Sequence, residues 1–344
     1  MRILIHDRPG SFSDRWIDYC RLNGFKHQLV HCGDNRIIQM LRDDDILLWH
    51  FGMLGDSTYG TAKSIIRAIE GTGVQVYPNS KTCWHFDDKL AQKYLLESVG
   101  APLVNTYVMY DRVVALDWIK NTQFPKVWKL SKGAGASNVR LIKSSQQAKA
   151  VCAKAFGRGF VATPSYFGDA STKLRKTKGL SNFLSKLGRA PKLLSKIMQN
   201  RKCLPLERGY LYFQDYLPGN TYDTRVTVIG GRAFGFVRHN RPGDFRASGS
   251  GLIEDDPGKV DMECVRIAFD VSAKLEFQSM AFDFIYDEER RPRIVEISFC
   301  FGRKFFEKCP GYWDRNLVWH EGHVWPQDAI LQDLLSSAYT VSTS

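Results

Sequence analysis

The sequence predicts an α/β protein in which a parallel sheet comes first and antiparallel sheets follow. Three observations carry this. Short apolar runs alternate with amphipathic stretches through the first 80 residues, paired strands dominate beyond residue 209, and a glycine-rich loop at 131–138 joins two strands rather than a strand and a helix.

Taken in order, "ILIHD" (3–7) and "HQLVHC" (27–32) read as strands flanking a helix capped by Ser11 or Ser13. "DILLWHF" (45–51) and "VQVYP" (74–78) flank another helix, with Ala62, Ile65, Ile66 and Ile69 at helical spacing. No GxGxxG follows the first strand, which argues against a dinucleotide site there. "DDKLAQKYLLESVG" (87–100) is a helix with Leu90, Tyr94 and Leu95 on one face and Gly100 as its stop. A strand in "APLVNTYVMY", a helix over 113–120, strands at 126–130 and 139–142 and a helix near 145–156 follow. "YLYFQDYL" (210–217), "DTRVTVIG" and "RAFGFVRHN" are strands, the last two joined by Gly230 and Gly231 in a hairpin turn. A helix near 260–275 precedes a final pair, "MAFDFIYD" and "PRIVEISF".

Composition narrows the class. With 44% hydrophobic and 24% charged residues in 344, the chain is globular, and no apolar run reaches the length of a membrane span. The start "MRILIHD" lacks the features of a signal peptide, so a cytoplasmic protein is expected, with reduced and mostly buried thiols among its eight scattered cysteines. The net charge of +12 is concentrated: ten basic residues and no acidic one lie within 172–202. That segment also carries Leu180, Phe183, Leu184 and Leu187, then Leu193, Leu194, Ile197 and Met198, the spacing of two short amphipathic helices. It reads as decoration, as a contact for an anionic substrate, or as a peripheral contact at the inner membrane surface. It lacks the interleaved aromatics of a nucleic-acid surface.

Two constellations carry chemistry. Asp283 and Glu296 stand among apolar residues on consecutive strands, and two inward carboxylates there suit a magnesium ion bridging phosphates. Phe282 and Phe284 take the face opposite Asp283, which weakens the alternative of a solvent-facing hairpin. The second set, Asp223, Arg225, Arg238, Arg241 and Arg246, offers planar forks for phosphate or carboxylate, or else a basic strand face paired with surface acids. His320, Glu321 and His323 do not form HExxH and read as packing beside Trp313, Trp319 and Trp325, with zinc as the alternative.

These landmarks come in the order of one family. Over roughly residues 80–335 the chain resembles the ATP-grasp superfamily, nearest its ribosomal-protein glutamate ligase and glutathione synthetase branch. The resemblance rests on "DDKLAQKYLLESVGAPLVNTY", "PKVWKLSKGAGASNVRLI", "LYFQDYLPGNTYDTRV", "GDFRASGSG" and "FDFIYDEERRPRIVEIS". It implies an α+β ATP-grasp fold: a Rossmann-like domain over 1–80, then a two-lobed domain over 81–335 whose lid lobe spans about 125–207, and a tail at 336–344. ATP and Mg²⁺ are the implied cofactors. Lys89 and Lys129 would contact phosphates, and Lys132 to Asn138, with Gly133, Gly135 and Ser137, would form a mobile lid. Gln214, Asp215, Tyr216 and Leu217 would hold adenine, and Asp223 and Arg225 would lie near the ribose or acceptor. Arg238 and Arg246 would hold the γ-phosphate and an acyl phosphate, with Arg225 completing the catalytic set. Asp283, Glu296 and Ser298 would bind metal. Ser298 and Ser248 stand where the family usually has Asn, which weakens one metal ligand.

The implied activity joins a carboxylate, for instance an amino acid, to an amine through an acyl phosphate. The alternatives are phosphate transfer to a hydroxyl acceptor and a non-catalytic nucleotide-binding module. Similarity of "YWDRNLVWHEGHVWPQD" to ATP-grasp proteins of bacterial surface-polysaccharide synthesis tilts the acceptor towards a sugar or glycan. Dimers are common among such proteins, so a homodimer is compatible with the reading.

Overall fold

The computed structural model describes residues 1–52, 60–133, 138–162, 206–303 and 305–342. Gly135, Ser137 and the basic segment 172–202 lie outside the described residues.

The first sheet is built from β1 (Ile3–His6), β2 (His27–Val30), β3 (Ile46–Leu48) and β4 (Gln75–Tyr77), connected by α1 (Phe12–Leu22), α2 (Ile37–Met40) and α3 (Ala62–Glu70). All its pairings are parallel, in the order β2-β1-β3-β4. Ser11 caps α1, its side chain accepting from the Ser13 amide. Two helices, α4 (Ser80–Cys83) and α5 (Lys89–Ser98), lead out of it.

A second, antiparallel sheet has the order β5-β10-β6-β7. It comprises β5 (Thr106–Met109), β6 (Lys126–Lys129), β7 (Val139–Ile142) and β10 (Leu211–Asp215), with α6 (Arg112–Asn121) and α7 (Ser145–Ala155) packed on it. The short ladder β8 (Phe160–Val161) and β9 (Leu206–Glu207) pairs Val161 with Leu206.

The third sheet runs β15-β14-β11-β12-β16-β17, with β13 on β12. Its strands are β11 (Tyr222–Ile229), β12 (Arg232–His239), β13 (Ile253–Glu254), β14 (Ser279–Tyr286), β15 (Pro292–Ser298), β16 (Gly311–Trp313) and β17 (Trp319–Glu321). Helix α8 (Met262–Lys274) packs on it, and α9 (Pro326–Ser342) ends the described chain. Gly230 turns β11 into β12 at φ +55°, and a Cβ there would strike the Asp333 carboxylate of α9.

Alternation in the parallel strands sends Leu4 and Leu47 into one apolar cluster and Ile3, Ile5, Ile46 and Leu48 into another. Both clusters also contain residues of the third sheet, Val226 and Phe282 in the first, Phe234 and Ala281 in the second. The second sheet keeps a core of its own around Trp128, Phe213 and Val151. The first and third sheets thus share one hydrophobic interior. Helix α9 seals it: Leu331 is fully buried beside the α1 residues Phe12 and Trp16, and Arg15 pairs with Asp328. Leu331→Ala should therefore cost about 2–5 kcal/mol, read as a lower midpoint in urea unfolding.

Among the described residues no helix is long and apolar enough to cross a membrane. One expectation needs correction. Of Leu90, Tyr94 and Leu95 on helix α5, Leu95 packs partly buried against the core and Tyr94 is exposed, while the fully buried side chains are Lys89, Gln92 and Leu96. Apolar spacing misplaces part of the face because Lys89 turns into the cleft and Gln92 is buried against the His85 carbonyl and the Ile297 amide.

Candidate active site

A cleft of about 920 Å³, mouth included, opens where the second and third sheets face each other. It is lined by apolar side chains, Val104, Val127, Leu217, Ile285 and Val295 among them, and by charged ones that include Lys89, Lys129, Asp283 and Glu296.

The lysines arrive by ordinary local rules. Asp88 caps α5 by accepting from the Ala91 amide at 3.0 Å, which sets Lys89 in the first turn. Lys89 Nζ donates to the Gly133 carbonyl at 2.7 Å and pairs with Glu296 at 3.0 Å. On β6, Trp128 points into the core, so Lys129 points into the cleft. Lys129 is only 4% exposed, and its ammonium has no hydrogen-bond or salt-bridge partner among the described residues. Burial, with Lys89 adding to it against Glu296 and Asp283, lowers its pKa to about 8.

The carboxylates and arginines come from neighbouring strands. Asp283 lies directly opposite Arg225 on one side and Glu296 on the other, and Asp223 lies opposite Arg238. Arg225 grips Asp283 through two bonds of 2.6 and 2.7 Å, and Arg238 grips Asp223 through two of 2.8 and 2.6 Å. Arg238 also reaches Asp283 at 2.9 Å, linking the four into a chain. Burial would raise the Asp283 carboxyl, but the Arg225 and Arg238 guanidiniums overcome it and hold the group well below the usual carboxylate range. Asp223, with one shared guanidinium, is pushed up by burial.

A bulge shapes β15. Asp283 pairs with Glu296 and Phe284 with Ile294, which leaves Val295 as the extra residue. Ile294 and Ile297 stay in the core while Val295 and Glu296 both line the cleft. Simple alternation would have put Val295 on the far side. Ser298 is half-buried, opposite Ala281.

The remaining residues fall around the same space. Gln214 is 2% exposed and donates to Thr106 Oγ1 and Tyr212 Oη at 3.0 and 3.1 Å. Asp215 binds Lys126 and accepts from Asn105 Nδ2, so its side chain braces the sheet. Tyr216 meets Phe245 edge-on, and Leu217 offers its carbonyl to Asn220. Arg246 is bidentate to Asp244 at 2.8 Å for each bond. Gly133 lines the cleft and Lys132 accepts from Asn138 through its carbonyl. Asp223 and Arg225, expected as a pair, bind other partners: their side chains are salt-bridged to Arg238 and Asp283.

The histidines of the 319–328 stretch lie elsewhere. His320 pairs with Asp314 at 2.9 Å and His323 bonds the Phe306 carbonyl at 2.7 Å. Trp313 and Trp319 pack at 4.7 Å. Among the described residues no three His, Cys, Asp or Glu side chains group closely enough to hold a metal ion alone.

Sequence reasoning missed Asp87, Asp244 and Tyr210. Asp87 accepts from the Gly133 amide, and Tyr210 accepts from the Ser131 amide. Of these, Asp87 stood next to a readable signal, the helix-capping Asp88; Tyr210 and Asp244 carried none.

No family model and no curated protein sequence matches the chain. Solved structures do. A RimK domain ATP-grasp protein from Sphaerobacter thermophilus matches at TM-score 0.55 and 13% identity, over 97% of this chain and 98% of the other. D-cycloserine synthetase DcsG matches at 0.56 and 11%, over 97% and 99%. D-alanine–D-alanine ligase from Bacillus anthracis, complexed with ATP, matches at 0.56 and 12%, over 99% and 98%. At such identities the likeness is one of fold, and it runs the length of the chain.

Proposed function

We propose that this chain, which has the ATP-grasp fold, is an ATP- and magnesium-dependent ligase that joins a carboxylate to an amine through an acyl phosphate. The observation that carries the proposal is Lys129: a buried ammonium, unpaired among the described residues, in a cleft lined by both apolar and charged side chains. An unpaired buried charge is costly unless an anion completes it. Lys89 is paired with Glu296, Arg225 with Asp283 and Arg238 with Asp223, which leaves Lys129 as the cation of this group without a direct partner.

The residues fit a magnesium nucleotide. Asp283 and Glu296 are adjacent carboxylates, too few to hold a cation alone, which suits an ion completed by phosphate oxygens, with Ser298 beside them. The ion, when bound, would draw charge from the phosphates. The apolar side chains and the Gln214–Leu217 segment would take the base, with Asp223 on the ribose or acceptor side, and Lys89 and Lys129 the phosphates. A carboxylate oxygen attacks the γ-phosphorus and ADP leaves; the amine then attacks the acyl carbon and phosphate leaves. Arg225, Arg238 and Arg246 supply the cations for the developing charge.

The test is a screen of carboxylates and amines for ATP-dependent release of ADP and phosphate. Turnover is expected to require a carboxylate, and hydroxylamine to trap the acyl group as a hydroxamate. A phosphorylated hydroxyl acceptor without hydroxamate would replace the ligase by a phosphotransferase. ATP binding without turnover across the screen would leave a binding module.

A further inference from the structure

Three side chains outside the glycine loop hold its first residues, and they hold them differently. On one side the Tyr210 hydroxyl accepts from the Ser131 amide at 2.7 Å and donates to the Glu207 carboxylate, which is buried. Beneath, Ser131 Oγ donates to Asp88 at 2.8 Å, and the Ser131 carbonyl accepts from the Lys89 amide at 3.1 Å. On the other side Asp87 accepts from the Gly133 amide at 2.7 Å. Asp87 adopts φ +53°, a left-handed conformation uncommon for any residue but glycine.

These contacts differ in what they compete with. Ser131 is buried at the foot of the loop, against α5, whereas Gly133 lines the cleft. The Gly133 amide would face the phosphates if a nucleotide filled the cleft, and at present it donates to a carboxylate. A carboxylate on that N–H mimics the anion it would otherwise meet.

We infer that Tyr210 and Asp87 are opposed positioning residues for the glycine loop: Tyr210 fixes its foot for nucleotide binding, and Asp87 holds the Gly133 amide in place of a phosphate. This inference rests on the nucleotide reading of the cleft. Tyr210→Phe removes the acceptor and leaves the Ser131 amide unpaired. Asp87→Gly removes the competing carboxylate and suits the backbone there, so it does not endanger folding.

The experiment measures the affinity of the full-length protein for a non-hydrolysable ATP analogue with Mg²⁺ by calorimetry, alongside thermal midpoints. Tyr210→Phe should weaken binding about tenfold, and Asp87→Gly should tighten it about threefold or more, as expected of one hydrogen bond each. Glu207→Gln, which keeps an acceptor for the tyrosine, should bind as wild type, while Glu207→Ala should move towards Tyr210→Phe. A purely structural role would lower the midpoints without opposite changes in affinity. Equal affinities, or weakening in both the Tyr210 and Asp87 variants, would overturn the inference while leaving the nucleotide reading intact. Failure of the wild-type protein to bind the analogue would overturn both.

Discussion

Lys129→Met should abolish turnover and at the same time stabilise the unliganded protein. The two effects have one cause. Lys129 is only 4% exposed and its ammonium has no hydrogen-bond or salt-bridge partner among the described residues, so folding takes a charge largely out of water with only the more distant Glu296 and Asp283 to offset it. Methionine fills a similar volume without the charge. On the proposed role of Lys129 as a phosphate contact, its loss should lower kcat roughly a hundred- to a thousand-fold. The stability gain has a defined pH dependence. The unfolded lysine keeps its proton up to its ordinary 10.5, while the folded one releases it near about 8. The folded state therefore binds fewer protons in that window, and wild-type stability rises with pH across it. Below about pH 8 the full penalty applies, roughly 3 kcal/mol at most from the size of the shift. Denaturant unfolding at pH 7 and pH 10 should show the gap between Lys129→Met and wild type narrowing by roughly 2 kcal/mol. A gap that stays constant with pH would mean the lysine is not a buried, uncompensated ammonium.

Much of this arrangement could be read from the chain, and the parts that could not share a physical reason. Alternation placed Asp283 opposite Phe282 and Phe284, and the structure puts both phenylalanines in the core and Asp283 at the cleft. The same rule fails in the middle of the next strand, where the bulge at Val295 breaks the period. No residue type marks that bulge. Helix α5 shows the converse failure: its apolar residues gave only part of the buried face because a lysine and a glutamine complete it. Periodicity assumes that inward means apolar, and an active-site helix violates the assumption. Pairings were equally out of reach. Asp223, Arg225, Arg238 and Asp283 were each legible as candidates, but which fork takes which carboxylate depends on the register of three strands. Tyr210 contacts a loop 79 positions earlier in the chain, and nothing local distinguishes it from any other strand tyrosine.

The second large effect separates the two carboxylates, which the sequence treats as equivalent. Asp283→Asn and Glu296→Gln should both remove turnover on the proposed role of the two carboxylates in holding magnesium. Their effects on stability should differ sharply. The Asp283 side chain is 12% exposed and holds two guanidiniums, so neutralising it leaves Arg225 without its bidentate partner and Arg238 with Asp223 alone. Breaking a buried pair in this way costs about 3 kcal/mol or more. The Glu296 side chain is 34% exposed and pairs with Lys89, which retains the Gly133 carbonyl. Its neutralisation should cost less, about 1–2 kcal/mol, because the Lys89 ammonium is buried but keeps the carbonyl and a neutral acceptor. The sign with pH follows from the depressed Asp283 carboxyl: its contribution is complete above the unfolded value near 4 and fades only as pH falls below it. The cost of Asp283→Asn should thus be the same at pH 5 and pH 8 in urea unfolding. If the two variants proved equally stable, the four-residue chain of Asp223, Arg238, Asp283 and Arg225 would not be holding the third sheet together at the cleft, and Asp283 would be free to serve a metal alone.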